Sequence, residues 1–234
     1  MSIMKLIPGT LRKRSILILF SMVAFNSYAQ NSFEMHIGPT FPTGDFSSAL
    51  HGAGGASIGF NVGLEYSFPV SDKGFQVFVG TDFFYNELKK ETKDLVTGLL
   101  TSFGATSVDF DHSKYYNIPI STGVKYWLET TETASFYFDA GLTLNFLKIT
   151  DATSEVRTDV GNINSTIQYE DATKIGFRLG VGALIKDKIL TSADYLLLGD
   201  HNVSSRINTD GEIEQLEGIQ NVSFFRIRLG LLLW

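Results

Sequence analysis

The chain has 234 residues and four histidines, His36, His51, His112 and His201, which are the side chains best suited to proton transfer near neutral pH. His36 stands two residues from Glu34, so on an extended strand both side chains share one face. A histidine beside a carboxylate is the base half of an acyl-transfer or lipase-type site. No serine is assigned to His36 as a nucleophile, and no His-Glu-x-x-His zinc pair occurs. His51, His112 and His201 read as solvated histidines in or next to loops. The expectation is a protein that is not an enzyme, with no catalytic residue, no metal and no cofactor.

Three further stretches hold residues of ligand or docking type. The glycines of 52–55 (Gly-Ala-Gly-Gly) resemble a phosphate loop in composition, but no Gly-Lys-Ser/Thr follows and a strand pattern comes next, so they read as a flexible surface loop. Asp210, Glu212, Glu214 and Glu217 supply the hard oxygens that suit calcium. They lack the glycine spacing of a calcium loop and read as a solvated acidic loop. Leu88, Leu95, Val96, Leu99, Leu100 and Phe103 recur at roughly helical spacing, with Lys89, Lys90, Lys93 and Asp94 between them. This stretch fits a short amphipathic helix at a membrane surface or a partner-docking patch, and an extended strand fits equally well. Leu95, Val96, Leu99, Leu100 and Phe103 are its candidate interaction residues, because loops on a rigid scaffold commonly carry function.

These residues sit among segments that alternate with period two. In 57–68, Ile58, Phe60, Val62, Leu64, Tyr66 and Phe68 oppose Ser57, Gly59, Asn61, Gly63, Glu65 and Ser67. The same alternation runs through 33–41, 75–87, 114–128, 135–149, 174–186, 189–200 and 221–234, making eight segments. Short links at 69–74, 129–134 and 186–188 alternate with long ones at 42–56, 88–113, 150–173 and 201–219. Short turns at one end and long loops at the other are the layout of an outer-membrane barrel. The fold class is therefore all-β, an eight-stranded antiparallel up-and-down transmembrane β-barrel.

The two faces of these segments differ in a way that assigns inside and outside. The apolar faces are continuous stripes, while the opposite faces are rich in glycine and carry charges of both signs. Glu34, Glu65, Asp82, Asp139 and Asp194 stand against Lys125, Arg178, Arg226 and Arg228. Buried charges need partners, and a lumen eight strands wide is just filled by side chains. These nine residues are therefore expected to form a lumen ion network. Tyr66, Phe68, Phe75, Tyr126, Trp127, Phe136 and Trp234 fall near the short-turn ends, and Phe83, Tyr85, Tyr115, Tyr116 and Phe146 near the long-loop ends. Two aromatic belts at the membrane interfaces are the expected result.

Residues 1–29 read as a cleaved signal peptide: a basic start with Lys5, Arg12, Lys13 and Arg14, an apolar run at 16–25, and Ser27 and Ala29 before Gln30. Residues 30–234 then form the barrel domain. Removing four bases from 19 leaves 15 against 25 acidic residues, a mature charge near −10 that disfavours nucleic acid.

Gly38-Pro-Thr-Phe-Pro-Thr-Gly-Asp-Phe46 and Tyr116-Asn-Ile-Pro-Ile-Ser-Thr-Gly-Val-Lys-Tyr126 resemble segments of the PorT-like outer-membrane β-barrel family of Bacteroidetes. Ile118-Pro119 is the most specific match. The resemblance implies an outer-membrane barrel without implying one activity. The outward run Phe225, Ile227, Leu229, Leu231, Leu233 puts Trp234 out of phase, so a bulge near Gly230 or a register change at the rim is expected. The reading is a non-enzymatic structural, interaction or secretion-accessory protein acting through long extracellular loops. Its expected partners are outer-membrane lipids, the barrel-assembly machinery during insertion, and a protein at those loops. A small channel and a lipid-modifying barrel enzyme are the alternatives.

Overall fold

The structure is a computed structural model that describes residues 31–49, 54–129 and 133–233. The signal peptide, His51, the first two residues of the 52–55 glycine stretch and Trp234 lie outside the described residues.

Eight strands close into one antiparallel ring. In ring order they are β1 (Ser32–Pro42), β2 (Gly59–Pro69), β3 (Phe75–Glu87), β5 (Lys114–Glu129), β6 (Ala134–Ile149), β9 (Ala172–Ile185), β10 (Ile189–Thr209) and β11 (Glu212–Leu232). The ring closes where β1 pairs with β11, with Met35 opposite Leu231 and Phe41 opposite Phe225. Closure leaves no sheet edge inside the bilayer, where an unpaired backbone N–H or C=O would have no water to bond. Alternation then sorts the faces. Met35, Ile37, Val62, Leu64, Leu142, Leu179 and Leu229 point outward and are exposed, while Glu34, His36, Glu65, Arg178 and Arg228 point inward and are buried.

Prolines mark two interruptions in the ladder. Between β3 and β5 the pairing is broken at Pro119, and between β1 and β11 at Pro39. Neither ring has an N–H to donate. The register nevertheless continues unchanged past both, so the Ile-Pro and Gly-Pro segments cost local bonds without shifting the barrel.

The long links are more regular than loops. Three extra strands, β4 (Ala105–Asp111), β7 (Ala152–Thr158) and β8 (Gly161–Tyr169), add to the outer half of β10 in the order β10-β8-β7-β4. Together with the outer half of β11 they make a five-stranded sheet beyond the barrel mouth. Residues 201–219 are thus not a loop but the continuation of a hairpin, closed at Asp210 and Gly211, both with positive φ. Asp-Gly at a two-residue turn is the strongest short-range hairpin signal. It could have been read from the sequence.

The link 88–113 contains an α-helix, α1 (Lys90–Ser102), so the stretch carrying Leu95, Val96, Leu99 and Leu100 is helical rather than extended, and β4 follows it. A register irregularity sits on β10 between Leu197 and Gly199, not near Gly230, where β10 and β1 pair with β11 without a break. Below it even-numbered residues of β10 face inward. Above it His201 and Val203 do. The extra residue reverses the phase and lets the strand leave the barrel wall.

Candidate functional site

All eight ring strands contribute to one buried layer of charge. Arg178 on β9 reaches three carboxylates: Nη1 is 2.7 Å from Glu65 Oε2, Nη2 3.0 Å from Asp139 Oδ2 and Nε 3.2 Å from Asp194 Oδ1. Arg228 on β11 grips Asp194 with Nε at 2.7 Å and Nη2 at 3.0 Å. Arg226 lies 2.7 Å from Asp82 Oδ1 and 3.2 Å from Asp194 Oδ2. Lys125 Nζ sits 2.6 Å from Glu65 Oε1 and 4.0 Å from Glu34 Oε2. Each of the nine residues singled out from the sequence lies in this cluster.

His36 belongs to the same layer and was not assigned to it from sequence. Its Nδ1 is 3.0 Å from Glu34 Oε1 and its Nε2 2.6 Å from Asp82 Oδ1. The nine residues count five carboxylates against four permanent cations. His36 stands between two of these carboxylates, one facing each ring nitrogen. The ring is buried among charges in the lumen, away from either lipid leaflet. That position suits a partner of the lumen carboxylates better than a base acting on lipid.

Aromatic rings back the cations. The Arg178 guanidinium lies 4.7 Å from the Phe78 ring centroid, Arg226 5.4 Å from Phe84, and Lys125 Nζ 4.5 Å from Tyr137. Such contacts stabilise a desolvated cation by about 2 kcal/mol. Tyr137 fits because Gly182 faces it on the neighbouring strand. A Cβ at Gly182 would lie 2.4 Å from the tyrosine ring. Trp127 and Tyr115, expected in the membrane belts, turn inward instead, since strand alternation places them in phase with buried Lys125 and Asn117. The belts keep Phe75 against Tyr126 (4.6 Å) and Phe83 against Tyr116 (5.7 Å).

Above the charged layer the lumen becomes apolar. Phe46, in a single 3₁₀ turn at Gly44–Ser47, is fully buried and meets Tyr115 and Phe224 edge-on, each at 5.2 Å. Leu147, Leu196, Leu198 and Phe84 complete this plug. Tyr115 OH donates to the Gly54 carbonyl, and Lys89 Nζ donates to the Ser47 carbonyl. The described parts of this link, 42–49 and 54–56, are therefore tucked into the mouth, and Gly54 and Gly55 are buried rather than part of a flexible surface loop. Burying Phe46 removes from water an apolar ring that a flexible loop would leave exposed.

Other sequence candidates are placed differently from expectation. His201 is buried within β10, with Nδ1 3.1 Å from the Gly199 carbonyl oxygen and Nε2 3.1 Å from Asn145 Nδ2. It is not a solvated loop histidine, because the strand continues past the membrane and carries it inward. His112 is half-buried beside Lys93 Nζ at 2.7 Å. Its burial, then the neighbouring ammonium, hold its pKa below the ordinary histidine value.

Gly55-Ala-Ser-Ile-Gly59 has the spacing of a serine nucleophile elbow. It runs into β2 rather than a helix, and Ser57 Oγ donates to its neighbour's carbonyl at 3.3 Å. The sharp strand-to-helix turn that exposes such a serine is therefore missing. Asp210, Glu212, Glu214 and Glu217 lie at the tip and along the outer end of β11, and no metal-binding group of histidine or acidic residues occurs among the described residues. On α1, Leu95 and Leu99 are exposed, as is Phe103 just past its end at 81%, while Val96 and Leu100 are half-buried.

No helix among the described residues is long and apolar enough to cross a membrane. The membrane-facing surface is the barrel wall. No family model matches the chain, and no curated protein does. Among solved structures, a major outer membrane protein from Thermus thermophilus superposes with a TM-score of 0.51 at 14% identity, over 87% of this chain and 98% of that one. The likeness is one of fold. OprG from Pseudomonas aeruginosa matches with a TM-score of 0.48 at 13% identity, covering 88% and 97% of the two chains. Neisserial surface protein A matches with a TM-score of 0.42 at 16% identity, covering 88% and 98%. The chain is an eight-stranded barrel with a charged interior and an apolar wall, and a barrel so constructed resides in an outer membrane.

Proposed function

We propose that this protein is a non-enzymatic outer-membrane scaffold whose task is to hold a sheet and a helix at the cell surface for a protein partner. One observation carries the reading. The lumen is closed by two side-chain layers, the ion layer and the Phe46 plug, while regular structure extends well past the membrane. Ordered strands outside the bilayer add nothing to spanning it, whereas a rigid platform favours recognition by reducing the ordering cost of binding. The resemblance to PorT-like barrels supports an interaction or secretion-accessory role, after export and loss of residues 1–29.

Single-channel recording in planar bilayers tests it with the purified full barrel. The expected result is no steady conductance, and a steady open current would overturn the scaffold in favour of a small channel. A second arm deletes 202–219, joining the β10 and β11 walls by a short turn. The deletion is expected to keep the heat-modifiable gel mobility of a closed barrel while abolishing the protein's cell-surface role.

A further inference from the structure

The five-stranded extracellular sheet has two ends. At one end β4 carries α1 beside it. At the other, the outer part of β11 pairs with β10 on one side only. Residues Glu212 to Gly218 are matched to β10 from Thr209 back to Val203, and β1 joins β11 only from Phe224 onward. Among the described residues, the second side of 212–218 has no strand. Every residue from Glu212 to Ile219 is exposed.

An exposed edge is a template for another strand, and proteins blunt such edges with prolines, lysines or very short strands. This edge has no proline and no lysine, and the charges that guard it are three carboxylates, Glu212, Glu214 and Glu217. It carries Ile213 at 63%, Leu216 at 45% and Ile219 at 67% exposure. Its charge is one-sided. The hairpin 202–219 holds Asp210, Glu212, Glu214 and Glu217 against a single base, Arg206. Two copies pairing through this edge would set carboxylates against carboxylates, and like charges directly opposite on neighbouring strands are destabilising. A strand with alternating lysine or arginine and β-branched residues meets the opposite situation. Its bases lie beside Glu212 and Glu214 on the face that also holds Leu216, its β-branched side chains cover Ile213 and Ile219 on the face that also holds Glu217, and its backbone completes the open ladder.

We propose that the free edge of β11 at 212–218 is a docking strand for a basic, extended segment of another protein, bound by strand addition to the extracellular sheet. This rests on the scaffold reading and names its partner by chemistry. The acidic edge excludes a second copy of the chain and selects a basic one.

The test uses the full barrel in lipid nanodiscs and two synthetic peptides of equal length, alternating Lys-Val and alternating Glu-Val. Binding and backbone hydrogen exchange are read together. The expected result is that the Lys-Val peptide binds, slows exchange at 212–218 and spares β4, while the Glu-Val peptide does not bind. Reversing Glu212, Glu214 and Glu217 to lysine keeps the hairpin and is expected to exchange the two preferences by about tenfold or more, roughly 1.4 kcal/mol each way. Thr209 and Glu212 close the two-residue turn, so the N–H groups of 213, 215 and 217 alternate toward the open side. Gln215→Pro removes one of these edge donors and leaves the charge unchanged. It is expected to weaken the peptide while heat-modifiability shows the barrel intact. Lys-Val binding without protection of 212–218 would reduce the effect to diffuse charge attraction and overturn the proposal. No binding, or dimers protected at 212–218, would overturn it too. A closed lumen with an inert edge refutes this inference alone, whereas an open current refutes the scaffold whatever the peptides do.

Discussion

Asp194 is the most connected carboxylate of the lumen, and its removal has a magnitude that can be worked out. It accepts from Arg228 Nε at 2.7 Å and Nη2 at 3.0 Å, from Arg178 Nε at 3.2 Å and from Arg226 Nε at 3.2 Å. In Asp194→Ala the three arginines do not suffer equally. Arg178 keeps Glu65 at 2.7 Å and Asp139 at 3.0 Å, and Arg226 keeps Asp82 at 2.7 Å. Arg228 keeps neutral partners in Ser192 Oγ at 2.8 Å and Tyr137 OH at 3.5 Å, but its remaining carboxylates are only Glu34 and Glu65 at 3.5 Å and Asp139 at 3.9 Å. The variant therefore strands close to one buried cation, not three, and breaking one buried pair costs about 3–5 kcal/mol. Asp194→Asn keeps an acceptor and loses the charge, so it should fall between wild type and alanine. Asn202→Ala, on the exposed outer part of β10, is the control and should stay within about 0.5 kcal/mol. Reversible urea unfolding in lipid vesicles, followed by tryptophan fluorescence and gel mobility, gives the differences. If Asp194→Ala lies within about 1 kcal/mol of wild type, the network is not a pairing requirement and the reasoning fails.

The remaining predictions probe other parts of the chain. Leu179→Arg places a charge on the outer wall, where Leu179 is 58% exposed, and should destabilise the inserted barrel by about 2–4 kcal/mol. A neutral effect in vesicle unfolding would mean that this wall does not face lipid. Phe46→Ala empties the plug between Tyr115 and Phe224. It should cost about 3 kcal/mol and speed hydrogen exchange at Gly44–Ser47, whereas unchanged exchange would show the plug to be loosely held. At His112 the folded pKa is lowered by burial and by Lys93, so protonation favours the unfolded contact. The packing of α1 on β4 should be undiminished above the ordinary histidine pKa of about 6.5 and should weaken as pH falls below it. Amide exchange in 90–102 that is flat between mildly alkaline and mildly acidic pH, or a His112→Gln variant that keeps the wild-type pH response, would refute this.

Period-two alternation in eight segments, with short and long links in turn, determined the closed barrel. A strand's side chains must alternate, and in lipid every backbone group must find a partner within the wall. The same alternation put Glu34, Glu65, Asp82, Asp139 and Asp194 on the faces that carry Lys125, Arg178, Arg226 and Arg228. Which carboxylate meets which cation was not legible, because the pairings cross the lumen between strands far apart in sequence, as Glu65 and Arg178 do. His36 was legible as Glu34's neighbour on β1, but its second partner, Asp82, comes from another strand. The links misled for a related reason. Their alternation is shorter and more polar, since both faces of the sheet beyond the barrel mouth border water, so 150–173 and 201–219 have the pattern of loops although Asp210-Gly211 marks a hairpin. Only the tertiary structure decided that Phe46 folds back to close the mouth, that His201 turns inward past the irregularity at Leu197–Gly199, and that the acidic end of β11 is an open edge. Each depends on what lies beside a segment in space, and a local pattern carries no information about its neighbours.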